Sequence, residues 1–262
     1  MVLEQATIAK RRKALGILPT ELYDTFEGVI ERIQQSRGHS ELGMKVLLWL
    51  HLAIRPLKLE ELQHALAVEL GDTQFEVDNI PSRKAILDCC LGLVLVDEEA
   101  MTVRFVHYSL EEYFRLQSAI HFPDGYINVA ETCLIYLNFP KIREHCRSMA
   151  ELKNKVHEFP LLEYAACNWG TYASRQSNEA VMKLAQTFPG DDNKPSTPLQ
   201  VVYASITGDW AFNYQNSYTD SVSLLFSGIH VGAFFGLDDL TKPYCKMGQA
   251  DLRDDTGRTP LS

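Results

Sequence analysis

Apolar positions along this chain recur in two rhythms. From Pro19 onward, Tyr23, Phe26, Ile30 and Ile33 return every three or four residues, as on one face of an amphipathic helix, and the pattern stops near Gly38. A second run, from about Ser40 through Leu47, Leu48, Trp49 and Leu50 to Ile54, is apolar on more than one face. It predicts a central helix that Pro56 ends near Arg55. A third helix begins at Leu59, with Leu62, Leu66 and Leu70 on one face and Gly71 as its C-terminal cap. After a polar loop, Ser82 is placed to cap a fourth helix ending at Gly92. Residues 93–97 and 102–106, on either side of Glu98-Glu99-Ala100-Met101, predict a short β-hairpin.

The second strand passes directly into a helix through Arg104-Phe105-Val106-His107-Tyr108-Ser109-Leu110-Glu111-Glu112. Ser109 and Glu112 have the spacing of a capping box. His107 therefore sits at the end of a rigid element, where a side chain can be presented to a ligand. The same position also suits a histidine that only satisfies local polar groups. Farther on, Val129, Cys133, Tyr136 and Leu137 share a face, as do Leu162, Tyr164, Ala165 and Trp169, which predicts two buried helices. An amphipathic helix follows over residues 178–188, and residues 191–198 (Asp-Asp-Asn-Lys-Pro-Ser-Thr-Pro) form the clearest linker, where a domain boundary is expected.

Helices followed by a hairpin give the order of a winged helix. In a DNA-reading member, the helix before the hairpin enters the major groove. Here that helix, residues 83–91, carries only Arg83 and Lys84 as basic groups, both at its start, and the chain has a net charge of −9. Because phosphate neutralisation supplies most non-specific affinity, no nucleic-acid partner is expected.

Composition narrows the function classes further. The 262 residues, 46% hydrophobic and 23% charged, suit one or two globular domains. No apolar run approaches the roughly 20 residues of a membrane-spanning helix, and residues 1–13, with Lys10, Arg11, Arg12 and Lys13, lack the apolar stretch of a signal peptide. A cytoplasmic protein without a membrane partner is expected. Six cysteines without a C-x-x-C pair or zinc-site spacing read as reduced core thiols, so no metal is expected. The chain holds no phosphate-binding G-x-x-x-x-G-K-[ST] loop, no G-x-S-x-G elbow and no H-E-x-x-H. Glu60-Glu61, Glu98-Glu99 and Glu111-Glu112 read as solvated faces, and His64, His145 and His157 as exposed histidines without partners. No enzyme is expected.

Three stretches in this order, 18–27 (Leu-Pro-Thr-Glu-Leu-Tyr-Asp-Thr-Phe-Glu), 48–62 around Arg55-Pro56-Leu57-Lys58-Leu59-Glu60-Glu61-Leu62, and 104–114, resemble fungal NACHT-ankyrin proteins, which are NLR-like ATPases of the STAND class. The resemblance continues through residues 130–137 and 159–169. It implies the winged helix and helical segment that follow a nucleotide-binding module, without that module itself. Residues 228–240 resemble one ankyrin repeat, and residues 254–262 the opening of the next, close to the repeat period of about 33. Gly228 replaces the usual proline, and Pro243 falls inside the expected second helix. A chain that stops in the opening of a repeat reads as a fragment or truncated gene product.

The expected fold is mainly α: a winged helix with one small β-hairpin, a helical segment, and degenerate, truncated ankyrin-type repeats. The expected division is 1–18, the end of a preceding helical segment; 19–122, the winged helix; 123–190, a helical domain; 191–198, a linker; and 199–262, the ankyrin region. The resemblance implies that His107, in its F-x-H-x-S-x-x-E motif, contacts the β-phosphate of ADP and latches a closed state. ADP or ATP then belongs only to a complete STAND protein, with no cofactor in this chain alone. The implied partners are a protein bound by the ankyrin region and a nucleotide-binding module in cis or trans. A stand-alone ankyrin-containing adaptor or pseudoreceptor is the alternative, and a nucleic-acid binder a more distant one.

Overall fold

A computed structural model describes residues 19–191, 194–207, 227–254 and 257–260. The expected segment 1–18, the stretch from Trp210 to Tyr218, and Leu261 and Ser262 lie outside the described residues. The architecture is mainly α, with a small amount of β-structure.

Helix α1 spans Pro19–Gln35 and α2 spans Ser40–Leu52, close to the periodicities that predict them. A two-residue strand, β1 (Leu57–Lys58), leads into α3 (Leu59–Leu66), which is shorter than expected. Asp72 explains the early stop: its carboxylate accepts the Glu69 N–H at 2.8 Å, offering the backbone a turn in place of another helical one. Leu70, expected on the buried face, is 74% exposed.

Helix α4 (Arg83–Cys89) starts where Ser82 predicts, its hydroxyl accepting the Ala85 N–H at 3.1 Å. The hairpin of β2 (Val94–Asp97) and β3 (Thr102–Phe105) is antiparallel, with Val94 opposite Phe105 and Asp97 opposite Thr102. The Asp97 carboxylate accepts the N–H groups of Glu99 and Ala100 and so closes the turn.

Helices α5 (Tyr108–His121), α6 (Gly125–Asn138), α7 (Pro140–Arg143), α8 (Met149–Glu158), α9 (Leu161–Arg175) and α10 (Glu179–Thr187) follow. The stretch expected as a linker contains a two-strand turn, β4 (Gly190–Asp191) and β5 (Lys194–Pro195), and the start of α11 (Thr197–Thr207). Ser196, Thr197 and Gln200 are buried, because Gln200 bonds both backbone groups of Cys146, at 2.9 and 2.8 Å. Helices α12 (Gly228–Phe235) and α13 (Asp238–Lys246) form a packed pair, joined through Gly236 at φ 67°.

Contacts group the chain into two compact units, residues 1–56 with 82–123, and residues 57–81 with 124–262. Both sides of the expected boundary at 191–198 thus fall within the second unit, and the stretch 57–81 lies in the second unit although it interrupts the first in sequence.

In the first unit, Ile30, Ile33, Val46, Leu47, Ile86, Cys90, Leu110 and Phe114 form the core. Tyr113 ties α1 to α5: its ring meets Tyr23 and Phe26, and its hydroxyl donates to Glu27 while contacting His121 Nε2 at 2.9 Å. In the second unit α9 is central, packing on α3, α6, α11 and α12. Trp169 lies between Phe188 and Phe235, with ring centroids 5.4 and 5.2 Å away. α12 approaches this closely because position 170 is glycine, where a Cβ would fall 2.1 Å from the Phe235 ring.

Candidate functional site

β3 ends in a buried residue, Phe105, and Val106 extends the ladder by one bond, its N–H meeting the Leu93 carbonyl at 3.0 Å. The chain then reaches His107 in extended geometry, φ −148° and ψ 143°, and turns into α5. Sequence spacing puts the cap of this helix at Ser109, but the structure puts it at His107. His107 Nδ1 accepts the Ser109 N–H at 3.2 Å and lies 2.7 Å from Ser109 Oγ, while the His107 carbonyl accepts the Leu110 N–H at 3.1 Å. Ser109 is drawn inside the first turn and buried, because Leu110 and Phe114 anchor the helix two residues earlier than the capping-box spacing requires.

This geometry assigns the tautomer. An Nδ1 that accepts the Ser109 N–H holds no proton, so the ring proton sits on Nε2. The ring is exposed and leans on Tyr108, with centroids 4.5 Å apart. His107 thus has a capping task and also presents one fixed N–H donor at the junction. Arg83 at the start of α4 is paired with Glu98 in the hairpin turn, leaving Lys84 as the other basic side chain of that helix.

Two of the residues read as solvated are not. Glu61 is buried: its carboxylate accepts the Lys58 N–H at 2.7 Å, closing the first turn of α3. His64 is not partnerless. Its Nδ1 lies 2.8 Å from the Tyr136 hydroxyl, and its ring stacks on Phe75 at 4.6 Å and 20°. Burial pulls its pKa down to about 4, so the imidazole is neutral at physiological pH. His145 also has interactions. Helical periodicity puts His64 beside Glu60 on a polar face; the one available signal was Phe75, a lone aromatic in a polar loop. Of the cysteines, Cys89, Cys90, Cys133 and Cys146 are buried, Cys167 is intermediate, and Cys245 is exposed rather than in a core.

Among the described residues, no group of three or more His, Cys, Asp or Glu side chains is placed to hold a metal ion, and no helix is long and apolar enough to cross a membrane.

Compared with known proteins, residues 30–120 match the family described as GPI inositol-deacylase, winged helix domain. The match covers α2 to α5 and includes the hairpin and His107. This part of the chain is a winged-helix region. No curated protein and no solved structure matches the chain.

Proposed function

We propose that this chain is a non-catalytic regulatory and protein-interaction module of an NLR-like STAND signalling protein. In this reading, the winged helix reports the state of a nucleotide bound by a neighbouring module, and the C-terminal ankyrin-type helix pair binds a protein partner. The observation that carries it is His107, an exposed residue at the end of a strand, whose Nδ1 capping bond leaves Nε2 as the donor. An imidazole fixed in this way can donate one hydrogen bond from Nε2 to a phosphate oxygen at little ordering cost. The winged-helix match at residues 30–120 supports the placement. The family description supplies no hydrolase chemistry here, since the chain lacks a G-x-S-x-G elbow.

The C-terminal part of the reading draws support from α12. Ser227 and His230 form a reciprocal capping box at its start, as a Thr-Pro-Leu-His opening would, with Gly228 in place of proline. Gly228 has a physical reason, because a Cβ there would fall 2.3 Å from the Tyr244 hydroxyl. The adaptor alternative uses the same helix pair without a nucleotide. The Arg83–Glu98 pair further weakens the nucleic-acid reading, since it occupies half the cationic charge of α4.

Two substitutions separate the latch from the cap. Asparagine is a good N-cap but lacks a donor at the reach of Nε2, whereas leucine lacks both. In calorimetry of ADP binding by this chain joined to a nucleotide-binding module, both His107→Asn and His107→Leu should weaken retention by about 10- to 150-fold, as for a hydrogen bond to a charged group. Only His107→Leu should also lower the melting temperature. Equal ADP affinity in all three proteins would leave His107 a helix cap and nothing more.

A further inference from the structure

We propose that an open cavity of about 500 Å³ in the second unit, walled by Phe75, Phe139 and Phe159 with His64 at its side, binds an uncharged, ring-bearing small molecule carrying a carbonyl acceptor. This site is independent of the latch reading.

The volume lies within the usual range of ligand pockets, and the walls are those of an apolar site with few polar groups. One of those polar groups is fixed in orientation. Tyr136 is fully buried, and the Leu161 N–H at the start of α9 acts on its oxygen, so its proton is directed to His64 Nδ1. Nδ1 as acceptor leaves the ring proton on Nε2, and the Tyr136 hydroxyl is the hydrogen-bond partner of this ring among the described residues, which leaves Nε2 without one. Stacking on Phe75 sets the plane of the imidazole, so the donor is oriented before any ligand arrives. An aromatic wall and a pre-oriented neutral donor, with Thr73 and Gln74 as further polar lining, select a flat molecule with an acceptor placed for His64.

The charge pattern selects against an ionised ligand. His64 stays neutral down to about pH 4 because it is buried. Lys141 at the rim is already matched by Glu158 at 3.3 Å, and its ammonium lies 6.0 Å from the centre of the Phe159 ring. A carboxylate entering the cavity would lose its hydration and find no unmatched cation among the lining side chains.

The test is fluorescence titration of the full chain with Nile red, an uncharged fused-ring dye with a ring carbonyl, beside the anionic dye anilinonaphthalene sulfonate. Nile red should saturate one site. Val77→Trp, at a lining residue that is 68% exposed, should fill the mouth without disturbing the core and weaken binding at least tenfold. His64→Phe keeps the ring stack but loses the donor, and should weaken binding about three- to tenfold. Ile120→Glu, at an exposed apolar residue of the first unit, should change nothing. The proposal is overturned by absence of saturable binding, by equal binding in Val77→Trp, or by anionic-dye binding as tight as that of Nile red. If His64→Phe fails to fold, Val77→Trp and the comparison of dyes still decide.

Discussion

Two histidines in this chain are each held by a hydrogen bond to Nδ1, yet they face different surroundings. His107 accepts a backbone N–H and stays in water, whereas His64 accepts from a hydroxyl beneath an aromatic ring. The second arrangement has a consequence for acid stability. In an unfolded chain His64 ionises near 6.5, and in the folded chain near 4. Between those values the unfolded state takes up a proton that the folded state refuses, so stability falls as pH drops from about 6.5 to about 4 and levels off below. Because His64 is only partly shielded, the expected loss is about 1–2 kcal/mol. Urea midpoints measured from pH 7 to pH 4 should show this component in the wild-type chain and not in His64→Phe, with carboxylate effects common to both. His51 and His230 are lowered by burial as well and add to the background slope. Neither the His64–Phe75 stack nor the buried Glu61 could be read from periodicity, because each is made by a loop or a strand end folding back onto a helix face that looks polar in isolation.

Hairpin and helix positions, by contrast, followed from local chemistry. Ser82 caps α4 and Asn178 caps α10, whose Val181 N–H lies 2.8 Å from the Asn178 side chain. The misplaced features are ones where another contact outweighed the expected signal: α3 yields its last turn to the Asp72 carboxylate, and α5 is capped at His107 because Leu110 and Phe114 set its register. The same competition is measurable at the α9–α12 contact. Gly170→Ala should cost about 1–3 kcal/mol, since the new methyl collides with the Phe235 ring. In a Phe235→Ala background the cost should shrink markedly, and a double-mutant cycle of melting curves with no coupling would refute the close approach. Pro243 sits inside α13, where it withholds the N–H that would bond the Asp239 carbonyl. Pro243→Ala should therefore stabilise the helix pair by about 1–3 kcal/mol, readable as a rise in denaturation midpoint.

For the whole chain, the limits of the family match and the limits of the contact units differ. The match runs over residues 30–120, but the stretch 57–81 inside it groups with residues 124–262. A fragment limited to the match would leave Leu62, fully buried in the chain, without the packing that α9 gives α3. Such a fragment should melt without a sharp transition and bind apolar dyes, whereas one extended through α10 should regain a cooperative melt. An order of elements along the chain can be read from hydrophobic spacing. Which segments share a core depends on contacts far apart in sequence, and no local rule reports them.

The placement of α3 also has a bearing on synthesis. Its principal helical neighbour, α9, begins about 95 residues later in the chain. At the usual ribosomal pace of about 5–20 residues per second, the apolar side of α3 waits on the order of 5–20 s before that neighbour is made. During this interval the nascent chain shows a short, partly apolar segment of the kind that chaperones bind, since eight residues alone do not hold a helix.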